Sequence, residues 1–375
     1  MMDYSKHRIA YVVADLKRIG PTNQTLNIIR YSGAIQNCVV VSLFEESEDT
    51  QIQEYVDYGI EIICLKMHRK TALLSGTGKL RAVLEKIRPS IVHSWGTFAD
   101  ILTYYATKKM NVQHIITLRN FPVEEMTTRM NYLVGMGVAC LDLHILKHCK
   151  HVVACSYAIK NKIESAYGWK HLDCIQNGVD FNRFRSFDKE EMRSKLGLPQ
   201  DDMVLIATGS IIPRKRINET ADAFIGAGFA NTRKLLFLGD GNLLPAMKEK
   251  YKEYKNIIFL GKKQNVAEYL SAADVFVSSS ESEGMPNAVL EALACNLPVI
   301  LSDIPQHTEV LETVGECGIS YPLGNVSALC DVFRAIGENE IEKYRNNAQR
   351  IRASKLTMES MGSLYRGYYA RVVEK

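Results

Sequence analysis

The chain has 375 residues, 46% of them hydrophobic and 23% charged, the profile of an ordinary globular protein long enough for two domains. A formal charge of +4 is small for this length: it does not call for nucleic acid, and it is compatible with anionic small substrates or light contact with an acidic membrane surface. No apolar leader opens the chain, no stretch is long enough to span a membrane, and the nine cysteines are odd in number and lack metal-ligand spacing, which fits a reducing cytoplasm.

In chain order, residues 8–14 form a first buried strand, followed by a turn at Gly20 and Pro21 and a helix over residues 22–31. Short apolar strands recur at 37–43, 60–65, 90–93, 114–118, 152–155 and 174–176, separated by helical stretches. Asn177-Gly178-Val179-Asp180 is a turn signal, and the polar stretch 182–202 reads as a junction holding one helix, 189–196, closed by Gly197. The alternation then restarts, with strands at 204–208, 234–238, 257–260, 274–277 and 298–301 and helices at 216–227, 243–254, 266–272 and 287–295. Residues 325–374 look all-helical. Such alternation predicts an α/β protein with two doubly wound parallel sheets in tandem, each binding ligands at the carboxyl ends of its strands. We place the domains at 1–182 and 183–355, with 356–375 as a last helix.

The stretch 278–291 reads as strand end, turn and helix. Pro286 suits a first helical turn, and good helix formers follow from Asn287. Glu283 falls in the turn and Glu291 inside the helix, on either side of a helix N-terminus that can seat a phosphate. Two carboxylates beside an anion seat suggest a sugar nucleotide, with hydroxyls donating to the acids and phosphates taking N–H groups. On spacing alone, two ordinary solvated acids account for the pattern equally well.

Residues 282–300 as a whole resemble the glutamate–seven–glutamate signature of the retaining family-4 glycosyltransferases. The resemblance implies the GT-B fold: two tandem Rossmann-like domains facing a central cleft, with the C-terminal helix (candidate residues 356–372) crossing back to the first. It implies an N-terminal acceptor domain and a C-terminal nucleotide-sugar domain. Glu291 would hold the ribose hydroxyls, and Glu283 the donor-sugar hydroxyls and the positive charge at the anomeric carbon. Gly284, Met285, Pro286 and Asn287 would turn amides toward the phosphate. Residues 209–217 correspond to the family's phosphate loop, with Lys215 at its lysine position and Ser210 where the family has arginine; Arg214 and Arg216 flank Lys215 and could supply the missing cation. Otherwise Arg214–Arg216 is a charged helix start. Gly239 and Gly261-Lys262 match glycine turns where backbone approaches the nucleotide, or are simple turns. Asn296 replaces a usual glycine and still permits a left-handed helix stop. Glu309 either faces the cleft or caps a helix.

In the first half Gly20-Pro21-Thr22-Asn23 resembles the loop that faces donor phosphates and acceptor; the alternative is a helix capped by Thr22. His93, in a segment where Trp95 replaces a second histidine, would donate to the sugar or acceptor as a catalytic group, or is a structural histidine at a strand end. Arg119 and Asn120 would hold an acceptor hydroxyl or phosphate. Ser75-Gly76-Thr77-Gly78-Lys79 lacks Walker spacing and a preceding strand and reads as a flexible loop opening a helix, and residues 67–79 as a variable loop for acceptor specificity. His144 and His148 form no zinc-protease pattern; a cationic helix end is the simpler reading. The apolar run 132–146 reads first as a buried helix, second as a rim helix near a membrane-borne acceptor.

The function implied is transfer of a sugar from a nucleotide-diphosphate donor, UDP-linked, to a saccharide acceptor on a lipid carrier in bacterial polysaccharide assembly, with retention, without cofactor or metal. The protein would be cytoplasmic, compatible with peripheral contact at the inner membrane. The alternatives carried are a GT-B epimerase, a phosphorylase-like enzyme, and a non-catalytic sugar-nucleotide binder kept open by Ser210.

Overall fold

A parallel strand covered by helices on both faces must be apolar along its whole length. The run Cys38–Phe44 meets that demand, being buried at every position. The computed structural model, which describes residues 3–69, 71–229 and 232–374, divides into two units: Met1–Asn177 with Met358–Lys375, and Gly178–Thr357. The sequence reading had set the divisions a few residues away, at 182/183 and 355/356.

The sheet of the first unit has seven parallel strands: β1 (Ile9–Val13), β2 (Cys38–Phe44), β3 (Glu61–Met67), β4 (Ile91–Ser94), β5 (Gln113–Leu118), β6 (His151–Ala154) and β7 (Leu172–Cys174). Their order is β3-β2-β1-β4-β5-β6-β7. Alternate residues of β1 feed two cores. Ile9, Tyr11 and Val13 pack with Leu26, Ile29, Tyr365 and Tyr369; Ala10 and Val12 pack with Leu80, Leu84 and Leu102. The helix Met358–Val373 completes the first of these cores. It buries Met358, Met361, Tyr365, Tyr368, Tyr369 and Val372, and a Cβ at Gly362 would stand 2.4 Å from the Tyr31 backbone carbon. The last helix therefore returns to the first unit, as the fold class required.

The second unit holds β8 (Met203–Thr208), β9 (Arg233–Leu238), β10 (Ile257–Gly261), β11 (Val275–Ser278), β12 (Val299–Ser302) and β13 (Gly318–Tyr321), parallel and ordered β10-β9-β8-β11-β12-β13. In each sheet the strand order reverses once, between β1 and β4 and between β8 and β11. The carboxyl ends at such switch points are where open α/β sheets bind ligands.

Three expectations need correction. Residues 75–79 are not a loop but lie within the helix Ala72–Ile87, and a Cβ at Gly76 would meet Leu102 at 3.2 Å, so the small residue serves helix packing. Pro286 is the N-cap, with the helix running Asn287–Ala294, instead of a residue of its first turn. The run 132–146 is only half core. The helix Tyr132–His148 buries Gly135, Ala139, Asp142, Ile145 and Leu146 but exposes Tyr132, Leu133 and Val134. Among the described residues no helix is long and apolar enough to cross a membrane.

Candidate active site

In the second unit the loops after β8, β9 and β10 are laced together by backbone. Gly209 N–H donates to Leu238 O (2.9 Å), Gly239 N–H to Gly261 O (3.0 Å) and Ile211 N–H to Asp240 O (2.9 Å). A Cβ on Gly239 (φ +154°) would fall 1.7 Å from Gly209 O. The close approach that this glycine permits in the structure is loop to loop, which fixes the Gly209–Ile211 backbone at the mouth of the switch point. Gly261 closes β10 at φ +70°, and Lys262 beyond it is exposed.

Facing that loop is the turn after β11. The 3-10 turn Pro213–Lys215 presents two cations to one acid: Lys215 Nζ lies 2.5 Å from Glu283 Oε1 and Arg214 Nη1 3.0 Å from Glu283 Oε2. Arg214 also donates to Ser282 O, and its own carbonyl accepts from Glu281 N–H at 3.0 Å. Glu283 is buried (7% exposed). Burial pushes its carboxyl upward, but the Lys215 and Arg214 charges outweigh this and hold it well below the usual carboxylate range. The exposed Ser210 leaves no cation at the family's arginine position; Arg214 supplies one from four residues on. Arg216 does not. It adopts the left-handed backbone (φ +44°) and turns to Glu219 (2.7 Å) and Glu281 (3.6 Å). A cavity of about 30 Å³ lies between Gly209, Ser210, Lys215 and Ser278–Ser280.

Glu291 is half-buried, and its carboxylate makes no hydrogen bond or ion pair among the described residues. Burial raises its carboxyl to about 7, partly offset by the charges of Arg183 and Lys215. Of the helix-start amides, Asn287 N–H is already taken by Met285 O (2.9 Å). Glu309 lies inside the helix Pro305–Val314. Sequence reasoning passed over His307 and Arg183. His307 is fully buried, its Nδ1 2.9 Å from Ser302 O, while Ser302 Oγ donates to Ser280 O at 2.6 Å, steadying the turn that carries Glu283. Asn296 closes the preceding helix at φ +59°.

In the first unit a pocket of ≈290 Å³ opens at the β1/β4 switch point, where Asp15, Pro21, Trp95, Arg119, Asn120 and Asp142 contribute to its wall. Arg119, Asn120 and Pro21 thus share one pocket wall. Gly20, Thr22 and Asn23 do not line it. Thr22 is no cap, because the helix begins at Gly20 with Ile19 as N-cap. The Thr22 carbonyl accepts from Tyr55 Oη (2.9 Å), and Asn23 Oδ1 accepts from Gln51. His93 is also displaced from its expected role. It is buried, with Nδ1 2.9 Å from Tyr369 Oη and Nε2 2.7 Å from Thr117 Oγ1. Burial, with the charges of Arg119 and His114, lowers its pKa to about 3. A neutral imidazole with both nitrogens occupied by the protein is a core residue, not a sugar-facing donor. Asp142 carried one signal in the sequence, as a charge interrupting an apolar run. Among the described residues no three metal-ligating side chains gather into a metal site.

Two family models match the chain, one described as Glycosyltransferase Family 4 over residues 31–183 and one as Glycosyl transferases group 1 over residues 202–339. The chain belongs to these glycosyltransferases. Over 291 residues the glycosyltransferase is 25% identical to N-acetyl-alpha-D-glucosaminyl L-malate synthase of Bacillus anthracis, covering 75% of this chain and 74% of that protein. Over 238 residues it is 29% identical to UDP-Gal:alpha-D-GlcNAc-diphosphoundecaprenol alpha-1,3-galactosyltransferase of Escherichia coli, covering 60% of each. Its fold is similar to that of HepE from Anabaena, solved in complex with UDP and glucose, with a TM-score of 0.83 at 16% identity, over 97% of this chain and 100% of that one. The glycosyltransferase has the GT-B fold.

Proposed function

We propose that this glycosyltransferase moves a hexosyl group from a UDP-sugar to a saccharide on a lipid carrier in bacterial surface-polysaccharide assembly, with retention of configuration. The observation that carries the reading is Glu283, buried and ionised under Lys215 and Arg214, with the unpaired Glu291 in the following helix. An arriving diphosphate competes for Lys215 and Arg214, which neutralise the charge that the departing UDP takes with it. The freed Glu283 carboxylate then accepts sugar hydroxyls and stabilises the electron-poor anomeric carbon, and Glu291 accepts the ribose hydroxyls. The E. coli relative uses UDP-Gal and a diphosphoundecaprenol-linked sugar by its name, and HepE was solved with UDP; both support the donor and acceptor classes. The exposed Tyr132, Leu133 and Val134, with the exposed Arg129 nearby in sequence, suit peripheral membrane contact.

The test is thermal stabilisation by UDP, GDP, ADP and their common sugars, repeated with Glu291→Ala. A UDP-sugar that stabilises the protein, with the effect lost in the variant, is the expected result; stabilisation by no nucleotide would favour a non-catalytic protein. Flotation with vesicles containing an anionic lipid, compared with Leu133→Ser, checks the membrane contact: the variant should float less.

A further inference from the structure

The pocket at the β1/β4 switch point holds polar atoms that the protein itself leaves unsatisfied. Arg119 is 9% exposed and gives a single long hydrogen bond, from Nη2 to Thr25 Oγ1 at 3.5 Å. Its Nε has no partner, and among the described residues no carboxylate forms an ion pair with it. The guanidinium carbon lies 5.1 Å from the centre of the Trp95 ring, whose Nε1–H is also buried without an acceptor. Asp142 completes the set: its Oδ2 accepts from Thr97 Oγ1 at 2.9 Å, and its Oδ1 is buried and unmatched.

The remaining charges of the wall pair among themselves, Asp15 with Arg69 and Glu125 with Arg129. Asp100 accepts from Ser94 Oγ at 2.6 Å. Burial raises both Asp100 and Asp142, the repulsion of Asp142 adding to it at Asp100, so neither supplies Arg119 with a full counter-charge. A protein interior rarely leaves a cation and an indole N–H without partners unless a ligand completes them. A guanidinium is built to meet a carboxylate or phosphate through two parallel N–H bonds. At ≈290 Å³ the pocket stands at the lower end of the range for small-molecule sites, about 300 Å³ and up.

We propose that this pocket receives an oxyanion carried by the acceptor, a carboxylate or phosphate on its saccharide, held by Arg119 and the Trp95 N–H while Asp142 Oδ1 takes a hydroxyl of the same sugar. The proposal rests on the glycosyltransferase reading and narrows the acceptor to an acidic sugar.

The chain has two tryptophans, so Trp169→Phe leaves Trp95 as the sole indole reporter. The full chain with that change is titrated with glucuronate, inorganic phosphate and glucose while indole fluorescence is followed. A saturable change with one or both anions and none with glucose is expected, and the responding anion tells carboxylate from phosphate. Arg119→Gln should weaken the response at least tenfold, Arg119→Lys less, and Asp142→Ala should weaken glucuronate but not phosphate. A cooperative thermal unfolding transition retained in each variant shows that it is folded, and Arg119→Lys serves if Arg119→Gln is not. A response to glucose equal to that of the anions, an unaltered response in Arg119→Gln, or no response at all overturns the proposal. So does displacement of the anion by UDP in Glu291→Ala, which would mean that the pocket reads the nucleotide's own diphosphate. An anion response without any nucleotide binding leaves this site standing while the donor reading fails.

Discussion

Glu291 carries one proton equilibrium with two opposite consequences. Its carboxyl is raised to about 7, so raising the pH through that value ionises it. A carboxylate accepts ribose hydroxyls better than a carboxylic acid does, so UDP should bind several-fold more tightly as pH rises through about 7, by calorimetry, and Glu291→Gln should flatten the profile. Stability moves the other way. A carboxyl raised in the folded state contributes stability that is complete below its unfolded pKa and is lost as pH rises through the folded one. Glu291→Gln should therefore melt higher than the parent at alkaline pH in the absence of nucleotide. At Lys215 the effect belongs to the transition state: Lys215→Met leaves Arg214 alone opposite the diphosphate and should lower kcat by about 10²-fold or more, with a smaller change in donor KM. The placing of Glu283 in a turn and Glu291 in the helix after it was legible because a long motif surrounds them, and Lys215, from a separate loop, meets Glu283 in the fold. His93 misled, because nothing in the residues beside it reveals that Tyr369 and Thr117 occupy its two nitrogens. Arg183 and His307 went unnoticed because they reach the site only through tertiary packing.

At the scale of elements, the sequence pattern announced twelve of the thirteen strands among the described residues, most plainly the central ones, because a doubly covered parallel strand leaves no room for polar residues. β13 escaped because it has one buried residue in four and no continuous apolar run. The start of the helix Ala72–Ile87 was hidden by glycines that read as a loop, of which Gly76 in fact packs against Leu102 of a neighbouring helix while a Cβ at Gly78 would meet nothing within 4 Å. Glycine also sets the closest contacts of the fold. At Gly362 a methyl group would collide with the Tyr31 backbone and force apart the helices Gly20–Ser32 and Met358–Val373. Gly362→Ala should destabilise the first unit by about 2 kcal/mol or more, measured by chemical denaturation. Gly239→Ala would set a Cβ 1.7 Å from Gly209 O and should cost a similar amount, together with nucleotide binding, because the displaced loop leads to Lys215.

Over the whole molecule, each unit has its own core, and the chain enters and leaves the second unit before finishing the first. Ending the chain at Thr357 removes six buried side chains of the helix Met358–Val373 from the first core and none from the second. The truncated protein should lose the protection of the β1 and β4 amides in hydrogen exchange while those of β8 and β11 stay protected. This connectivity also orders events on the ribosome. The first unit is translated first but cannot be completed until residue 373 has left the exit tunnel, after all of the second unit. The nascent first sheet must wait with the Tyr11 side of its core only partly covered, by the helix Gly20–Ser32, while some 180 further residues are made, on the order of ten seconds or more at ~5–20 residues per second. The second half of the message is thereby the first to become a finished domain. Slowing translation over that half would lengthen the exposure of the first half, and the cost would appear as chaperone dependence and aggregation of nascent chains.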